Sequence, residues 1–240
     1  NRMKPKILLV NPPIYDFAAY DFWLKPYGLL RVGGRLWRNG HLHLFDYLDR
    51  NHPAFDPHGK TRTDKWGRGA YPSQRIEKPP CFKDIRRYWR RFGMDRSVFQ
   101  RYLSKQGPFD AVLIQTMMTY WYPGVQEVIA DVRQGCPQAK IVLGGFYATA
   151  CPDHAASLGA DIVIRGNNLL PLQEAGFELS DDFQPPAWGL YPKLDTGIIT
   201  LTRGCPFRCS YCFIPQSGMG FSVRPLQECL AELDFLAAKG

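Results

Sequence analysis

Hydrophobic and polar positions along the chain follow a pattern that predicts strands and helices in turn. Short runs of apolar, largely β-branched residues are typical of strands buried on both faces, whereas apolar positions every three or four residues predict helices. The predicted strands are residues 6–11, 41–45, 110–115, 140–144 and 161–164. The predicted helices are residues 26–38, 123–133 and 153–158. This alternation predicts an α/β fold, a doubly wound, Rossmann-like domain around a parallel five-stranded sheet, over about residues 1–180.

A basic segment interrupts this alternation. Residues 60 to 105 contain fourteen Lys or Arg against four Asp or Glu, whereas the whole chain has a formal charge of +8. Residues 50–107 are predicted to be an insertion, with one basic helix at 83–92. Its arginines, beside Tyr88 and Trp89, could bind nucleic acid, but such runs are more often a solvated face or a cover whose arginines meet carboxylates of the same protein. We therefore expect no nucleic-acid partner.

The composition changes again after the predicted α/β domain. Residues 181–195 contain three prolines and three aspartates, with Trp188 and Gly189, and are predicted to be a linker. A strand at 196–202, a loop that contains cysteines, and a helix from about 225 to 239 are predicted to follow. Since one strand and one helix cannot bury a core of their own, residues 196–240 are predicted to be the first βα unit of a larger TIM-type barrel.

Three of the seven cysteines lie close together in this last part of the chain. Cys205, Cys209 and Cys212 have the spacing Cys-x3-Cys-x2-Cys on the predicted loop. Thiolates are soft ligands that select iron–sulfur clusters, zinc or copper(I), and a structural zinc site closes with four ligands. The helical pattern places the nearest further cysteine, Cys229, several turns away. Three ligands therefore favour a cluster with one open iron, and a zinc knuckle or a chance grouping is the alternative.

The segment from Thr202 to Phe213, TRGCPFRCSYCF, resembles the signature loop of radical S-adenosylmethionine (radical SAM) enzymes. The resemblance implies that the three cysteines hold a 4Fe-4S cluster, whose open iron binds S-adenosylmethionine and cleaves it reductively to a 5′-deoxyadenosyl radical. It further implies that the backbone near Tyr211 and Phe213 flanks the adenine. A reductant such as flavodoxin or ferredoxin and a small-molecule or peptide substrate are the implied partners. The glycine-rich and ribose-binding motifs that this family carries on later strands have no counterpart in these 240 residues.

The amino-terminal domain resembles the cobalamin-binding domain that precedes many radical SAM barrels. The motifs are Asn11-Pro-Pro after the first strand, LGGFYAT at 143–149 and ADIVIRG at 160–166. Glycines there would let backbone approach a flat cofactor, although methionines and aromatics at the same edge could merely pack a helix start. No Asp-x-His-x-x-Gly motif follows the first strand, so we expect no histidine on cobalt. The expected cofactor contacts are Asn11, Pro12, Thr116, Met117, Thr119, Gly144, Gly145, Phe146, Thr149 and Gly166.

These features together predict an enzyme that cleaves S-adenosylmethionine, for methyl transfer to an unactivated centre or for a radical rearrangement. An RNA-modifying enzyme of the methylthiotransferase type and a non-catalytic module that binds a cluster or cobalamin are the alternatives. No apolar run approaches the roughly 18 residues of a membrane span, and the first residues do not resemble a signal peptide. Clustered cysteines suit a reducing compartment, so we expect a cytoplasmic protein without a membrane partner.

Overall fold

The computed structural model describes residues 4–38, 40–59 and 61–239. Its strands, in chain order, are β1 (Lys6–Asn11), β2 (Ile14–Asp16), β3 (Tyr20–Asp21), β4 (His41–Asp46), β5 (Gly69–Ala70), β6 (Ser73–Arg75), β7 (Arg90–Phe92), β8 (Ala111–Thr116), β9 (Lys140–Gly145), β10 (Ile162–Val163), β11 (Thr202–Arg203) and β12 (Ser222–Val223). Its α-helices are α1 (Tyr27–Leu36), α2 (Arg96–Gln106), α3 (Tyr122–Gly135), α4 (Phe146–Ala150), α5 (Pro152–Ser157), α6 (Leu170–Glu174) and α7 (Leu226–Ala237).

The central sheet has five parallel strands in the order β10-β9-β8-β1-β4, which confirms the predicted α/β fold. The first strand therefore lies inside the sheet, and the chain changes its direction of winding between β1 and β8. In doubly wound sheets, ligands bind outside the carboxyl ends of the strands near such a switch point. The edge formed by the ends of β1, β8 and β9 is consequently the place to search for a site.

Helices cover both faces of this sheet because alternate residues of each strand point to opposite sides. On one face, Ile7 and Leu9 of β1 pack with α1 and α6. On the other face, Leu8 and Val10 pack with α2, α3 and α4. These four β1 side chains have no exposed surface, and complete burial of such a side chain contributes about 1.5–3 kcal/mol relative to exposure.

The predicted basic helix at 83–92 is wrong. A 3₁₀ turn, Pro80–Phe82, precedes extended chain, and β7 pairs antiparallel with both β2 and β6. Trp89, 4% exposed, packs against the rings of Phe17 and Phe82. The two flanking strands supply hydrogen-bond partners for β7, and a helix would leave both of their edges open.

The helix α2, by contrast, lies inside the predicted insertion and was not expected. The Asp95 side chain accepts a hydrogen bond from the Ser97 backbone at 2.8 Å, which caps the helix. Phe99 and Leu103, four residues apart, are buried in the core between α2 and the sheet. The sequence therefore contains a signal for this helix, an Asp followed by apolar positions at helical spacing.

The predicted strand at 196–202 is also wrong, and the structure does not confirm a barrel. Residues 196–200 form neither strand nor helix, and β11 begins only at Thr202, where it pairs antiparallel with β12. A parallel strand requires a neighbouring strand, and among the described residues only β12 pairs with this segment. The predicted carboxyl-terminal helix is confirmed as α7.

Candidate functional site

An apolar cavity of about 490 Å³ lies between α1 and the carboxyl ends of β8 and β9. This volume is in the range of small-molecule sites. The lining is mainly aliphatic, from α1, α6 and the sheet, and includes Leu29, Val142 and Leu172. Sequence analysis did not identify the α1 and α6 contributions, because those helices carry no motif that points to a ligand.

Two polar side chains of this lining, Lys25 and Gln115, differ in what they contact. The ammonium of Lys25 lies 3.7 Å from a carboxylate oxygen of Asp49 and 4.6 Å from the centre of the Tyr191 ring, so its charge has partners within the protein. Gln115, 9% exposed, makes no side-chain hydrogen bond to any other described residue. An amide carries both donors and an acceptor, so Gln115 could bond to a ligand in the cavity without breaking a hydrogen bond within the described protein.

The structure brings together five of the expected cofactor contacts around this cavity: Thr116, Met117, Gly144, Gly145 and Phe146. Asn11 and Pro12, again with Met117, line an adjoining cavity of about 20 Å³ at the ends of β1 and β8. Thr119 lies outside both linings, in the 3₁₀ turn Thr119–Trp121. Thr149 and Gly166 also lie outside both linings, so seven of the ten expected contacts line the two cavities.

Thr116 and Gly145 serve the fold itself at this edge. The Thr116 hydroxyl donates to the carbonyl of Gly144 and accepts from the backbone of Ala148, both at 3.0 Å, so it ties β9 to the start of α4. Gly145 has a φ of +116°, and a Cβ there would lie 2.1 Å from the Thr116 carbonyl oxygen. The glycine is thus required by the neighbouring strand, whether or not a ligand binds.

Thr149 and Asn11 also use their polar groups within the protein. The Thr149 hydroxyl donates to Gly145 at 2.8 Å and accepts from the backbone of Gly166 at 2.9 Å, which joins α4 to the turn after β10. The amide of Asn11 donates to buried Asp46 at 2.7 Å. These bonds shape the edge of the sheet.

Asp46, at the end of β4, connects the linker to the sheet. Tyr191 donates to its carboxylate at 2.5 Å, and the backbone of Leu48 donates at 2.9 Å. Burial raises the pKa of Asp46 above its ordinary value, and Lys25 and the hydrogen bonds partly oppose this shift. The segment predicted to be a linker is therefore anchored, and it packs Trp188 against α1.

The three cysteines lie on the loop that β11 and β12 enclose. Cys205 and Cys209 are exposed, Cys212 is half-buried, and all three are free thiols. The backbone of Cys212 donates to the carbonyl of Cys209 at 3.0 Å, so a turn connects these two residues. Within the described ranges, no three His, Cys, Asp or Glu side chains are arranged to hold a metal ion. The structure thus places the cysteines on one loop but does not bring their thiols together as a ligand set.

This loop, which runs from β11 to β12 and which we call the cysteine loop, contacts the mouth of the cavity. The ring of Phe213, directly after Cys212, meets the ring of Phe146 edge-on, with centroids 5.6 Å apart. Ser217 and Met219 lie close to Gly166, and each has an atom 3.7 Å from the position that a Cβ on Gly166 would occupy. Tyr211, by contrast, is 91% exposed. Of the two residues expected to flank the adenine, Phe213 lies at the sheet edge and Tyr211 extends into solvent.

A buried ion pair anchors the base of the cysteine loop. Arg224, just after β12, donates to a carboxylate oxygen of Glu232 on α7 at 2.9 Å and to the carbonyl of Thr200 at 2.7 Å. Tyr27 of α1 accepts from Arg224 at 3.0 Å and donates to Glu232 at 3.1 Å. This cluster connects the strands that flank the cysteines to the α/β domain, and sequence reasoning missed it.

Comparison with known proteins finds weak and partial similarities. Over 134 residues, 48% of this chain, it is 26% identical to an uncharacterized methyltransferase of Synechocystis, and covers 25% of that protein. Over 55 residues, 23% of this chain, it is 40% identical to the ribosomal protein uS12 methylthiotransferase RimO of Pelobacter propionicus, and covers 11% of that protein. No family model matches the chain. The chain therefore spans a quarter or less of each of these relatives, and the similarities hint at a methyl-transferring or radical SAM enzyme.

None of the described helices combines the length and the apolar character that crossing a bilayer would require.

Proposed function

We propose that the chain acts in a radical SAM iron–sulfur enzyme, in which a cobalamin-binding-like α/β domain assists methyl transfer to an unactivated centre or a radical rearrangement. The observation that carries this proposal is the contact between Phe213 and Phe146. It joins the cysteine loop to the mouth of the apolar cavity, so that groups bound at the two places would be neighbours.

The donor set of the cysteine loop suits an iron–sulfur cluster. Three free thiols lie within eight residues, two of them exposed, and thiolates are the usual ligands of such clusters. A bound 4Fe-4S cluster would supply the electron that cleaves S-adenosylmethionine. The role of this chain would be to hold the cluster through Cys205, Cys209 and Cys212, and to close one side of the site with Phe213.

The cavity suits an organic cofactor with an apolar part, of which cobalamin is our proposal. Its aliphatic lining would exclude water, and the unpartnered amide of Gln115 would bond to a polar group of the ligand. Met118 and Phe146, 42% and 40% exposed, lie at the mouth of the cavity and would contact the part of the cofactor that remains outside.

A second candidate is a radical SAM enzyme of the methylthiotransferase type that modifies RNA. The 40% identity over 55 residues with a methylthiotransferase favours that type of chemistry, although the named target of this relative is the ribosomal protein uS12 and not RNA. Both candidates use the same three cysteines, and they differ in whether the α/β domain binds cobalamin.

Anaerobic reconstitution with iron and sulfide tests the cluster. We expect about four irons per chain and a broad visible absorption. The triple variant Cys205→Ala/Cys209→Ala/Cys212→Ala should retain no cluster. The variant Cys81→Ala is the matched control, since Cys81 is also exposed and free. Wild-type protein without iron, or equal iron in the triple variant, would refute the proposal.

Cobalamin binding is a separate measurement on the same protein. After incubation with hydroxocobalamin and desalting, we expect a retained corrin spectrum that Gln115→Leu weakens. A protein that holds the cluster but retains no corrin would favour the methylthiotransferase type.

A further inference from the structure

The basic segment forms an open groove of about 770 Å³ on the surface of the insertion, and no residue of the cysteine loop lines it. The groove lies along β6 and the extended chain that leads into β7. Five cations and one carboxylate line it: Arg75, Lys78, Lys83, Arg86, Arg87 and Glu77. Its charge is therefore strongly positive, and its shape is open to a long ligand.

The cations of this groove differ from the other arginines of the same segment. Arg68, Arg91 and Arg96 each form an ion pair with a carboxylate, so their charge is neutralised within the protein. Lys78 donates to the carbonyl of Ile85. Within the part of the chain that the structure describes, no ion pair engages the four exposed cations Arg75, Lys83, Arg86 and Arg87. Of the two structural alternatives, the groove cations form a solvated face, whereas Arg91 meets the carboxylate of Glu127.

From this arrangement we infer that the groove binds a single-stranded nucleic acid. The Arg75 guanidinium stacks on the Tyr88 ring, 3.8 Å from its centre. Stacking holds the guanidinium plane in place and leaves its N–H edge free for the two oxygens of a phosphate. Three of the five cations are arginines, which suit phosphate better than the point charge of lysine does.

Apolar surface next to these cations favours a nucleic acid over an acidic polypeptide. Tyr88 is 55% exposed and Ile85 is 39% exposed, both within the groove. Proteins that bind single strands combine a positively charged groove with exposed aromatic side chains on which bases rest. A polyanion without bases would use only the charge. This inference does not depend on iron, S-adenosylmethionine or cobalamin.

Fluorescence anisotropy with a labelled single-stranded RNA of mixed sequence tests the inference, with the 240-residue protein titrated at several KCl concentrations. The variant Arg86→Ala/Arg87→Ala removes two cations from the groove. The control Arg101→Ala/Lys105→Ala removes two exposed cations from α2, in the same basic segment. Each phosphate contact contributes about 0.7 to the slope of log affinity against log salt for single strands. The groove variant should therefore reduce that slope by about 1.4, and the control should leave it unchanged.

Three results would overturn the inference. The first is no binding at 50 mM KCl, and the second is an equal loss in the control, which would indicate attraction by net charge alone. The third is that poly-L-glutamate displaces the labelled RNA as effectively as unlabelled RNA does when the two competitors are added at the same total charge. That result would assign the groove to an acidic polypeptide. The substituted side chains of both variants are exposed, and urea midpoints equal to that of the wild-type protein would establish that folding is unchanged.

Discussion

The buried ion pair of Arg224 and Glu232 provides a test of how the cysteine loop is anchored. Their side chains are 2% and 0% exposed, and the pair lies where β12, α7 and Tyr27 meet. The variant Glu232→Gln removes the negative charge and keeps the shape. It leaves a buried guanidinium whose nearest counter-charge is Glu228, 3.8 Å away and partly exposed.

The expected loss of stability follows from leaving the Arg224 guanidinium buried without its main counter-charge. Breaking a buried pair by removing one partner costs about 3–5 kcal/mol, which for a domain of this size corresponds to a fall in Tm of about 6–20 °C. The double variant Arg224→Met/Glu232→Leu should recover most of this loss. The reason is that Nε of Arg224 and Oε1 of Glu232 have no hydrogen-bond partner among the described residues, and each such buried atom costs about 1–3 kcal/mol.

Urea unfolding followed by tryptophan fluorescence measures these differences. Trp188 is fully buried and its ring centre lies 6.2 Å from that of Tyr27, so it reports on this region. The control is Asp195→Asn, which breaks the exposed pair with Lys193 and should cost less than about 1 kcal/mol. A loss for Glu232→Gln no larger than the control, or a double variant as unstable as the single, would refute the reasoning.

Two further predictions concern the sheet. Gly145→Ala should lower the free energy of unfolding by about 1–3 kcal/mol, because Gly145 has a positive φ and lies close to the Thr116 carbonyl. The control is Gly144→Ala, whose Cβ would meet Ile164 at an ordinary 3.6 Å. It should lower the free energy of unfolding much less in the same urea titration. Desolvation, and after it the charges of Lys6 and His41, lowers the pKa of His43 below its ordinary value of 6.5. The unfolded state therefore binds the proton more tightly than the folded state does. The free energy of unfolding should be highest above pH 6.5 and should fall as the pH drops below that value. The variant His43→Gln should lose less stability across that interval, and identical pH profiles for the two proteins would contradict the assignment.

Burial on both faces explains why the central sheet could be predicted from the sequence. The apolar runs of β1 and β8 have no polar face, and such runs occur in strands that helices cover on both sides. The run at 196–202 also contains β-branched and apolar residues but forms no such strand, because composition does not reveal whether a neighbouring strand is available. Similarly, the helical spacing of apolar residues at 83–92 gave no indication that β2 and β6 would supply hydrogen bonds on both sides of β7.

For the candidate site residues, the position in the fold was predictable but the hydrogen bonds that they make were not. Asn11 and Thr116 end β1 and β8, as the sequence pattern predicted, and Thr149 lies in α4, directly after β9. Their polar atoms, however, bond to other atoms of the protein, and such pairings depend on which strands become neighbours. A motif in the sequence carries no information of that kind.

This distinction bears on which residue would recognise a ligand. A hydroxyl or amide that already has its partners within the protein gains little from a ligand, since one hydrogen bond would only replace another. Thr116 and Thr149 are of this kind, and the charge of Lys25 is shared with Asp49. Gln115 lines the cavity and makes no side-chain hydrogen bond to another described residue, so a ligand could bond to its amide without breaking a bond within the protein. Recognition in this cavity should therefore depend on Gln115 more than on any residue that the motifs identified.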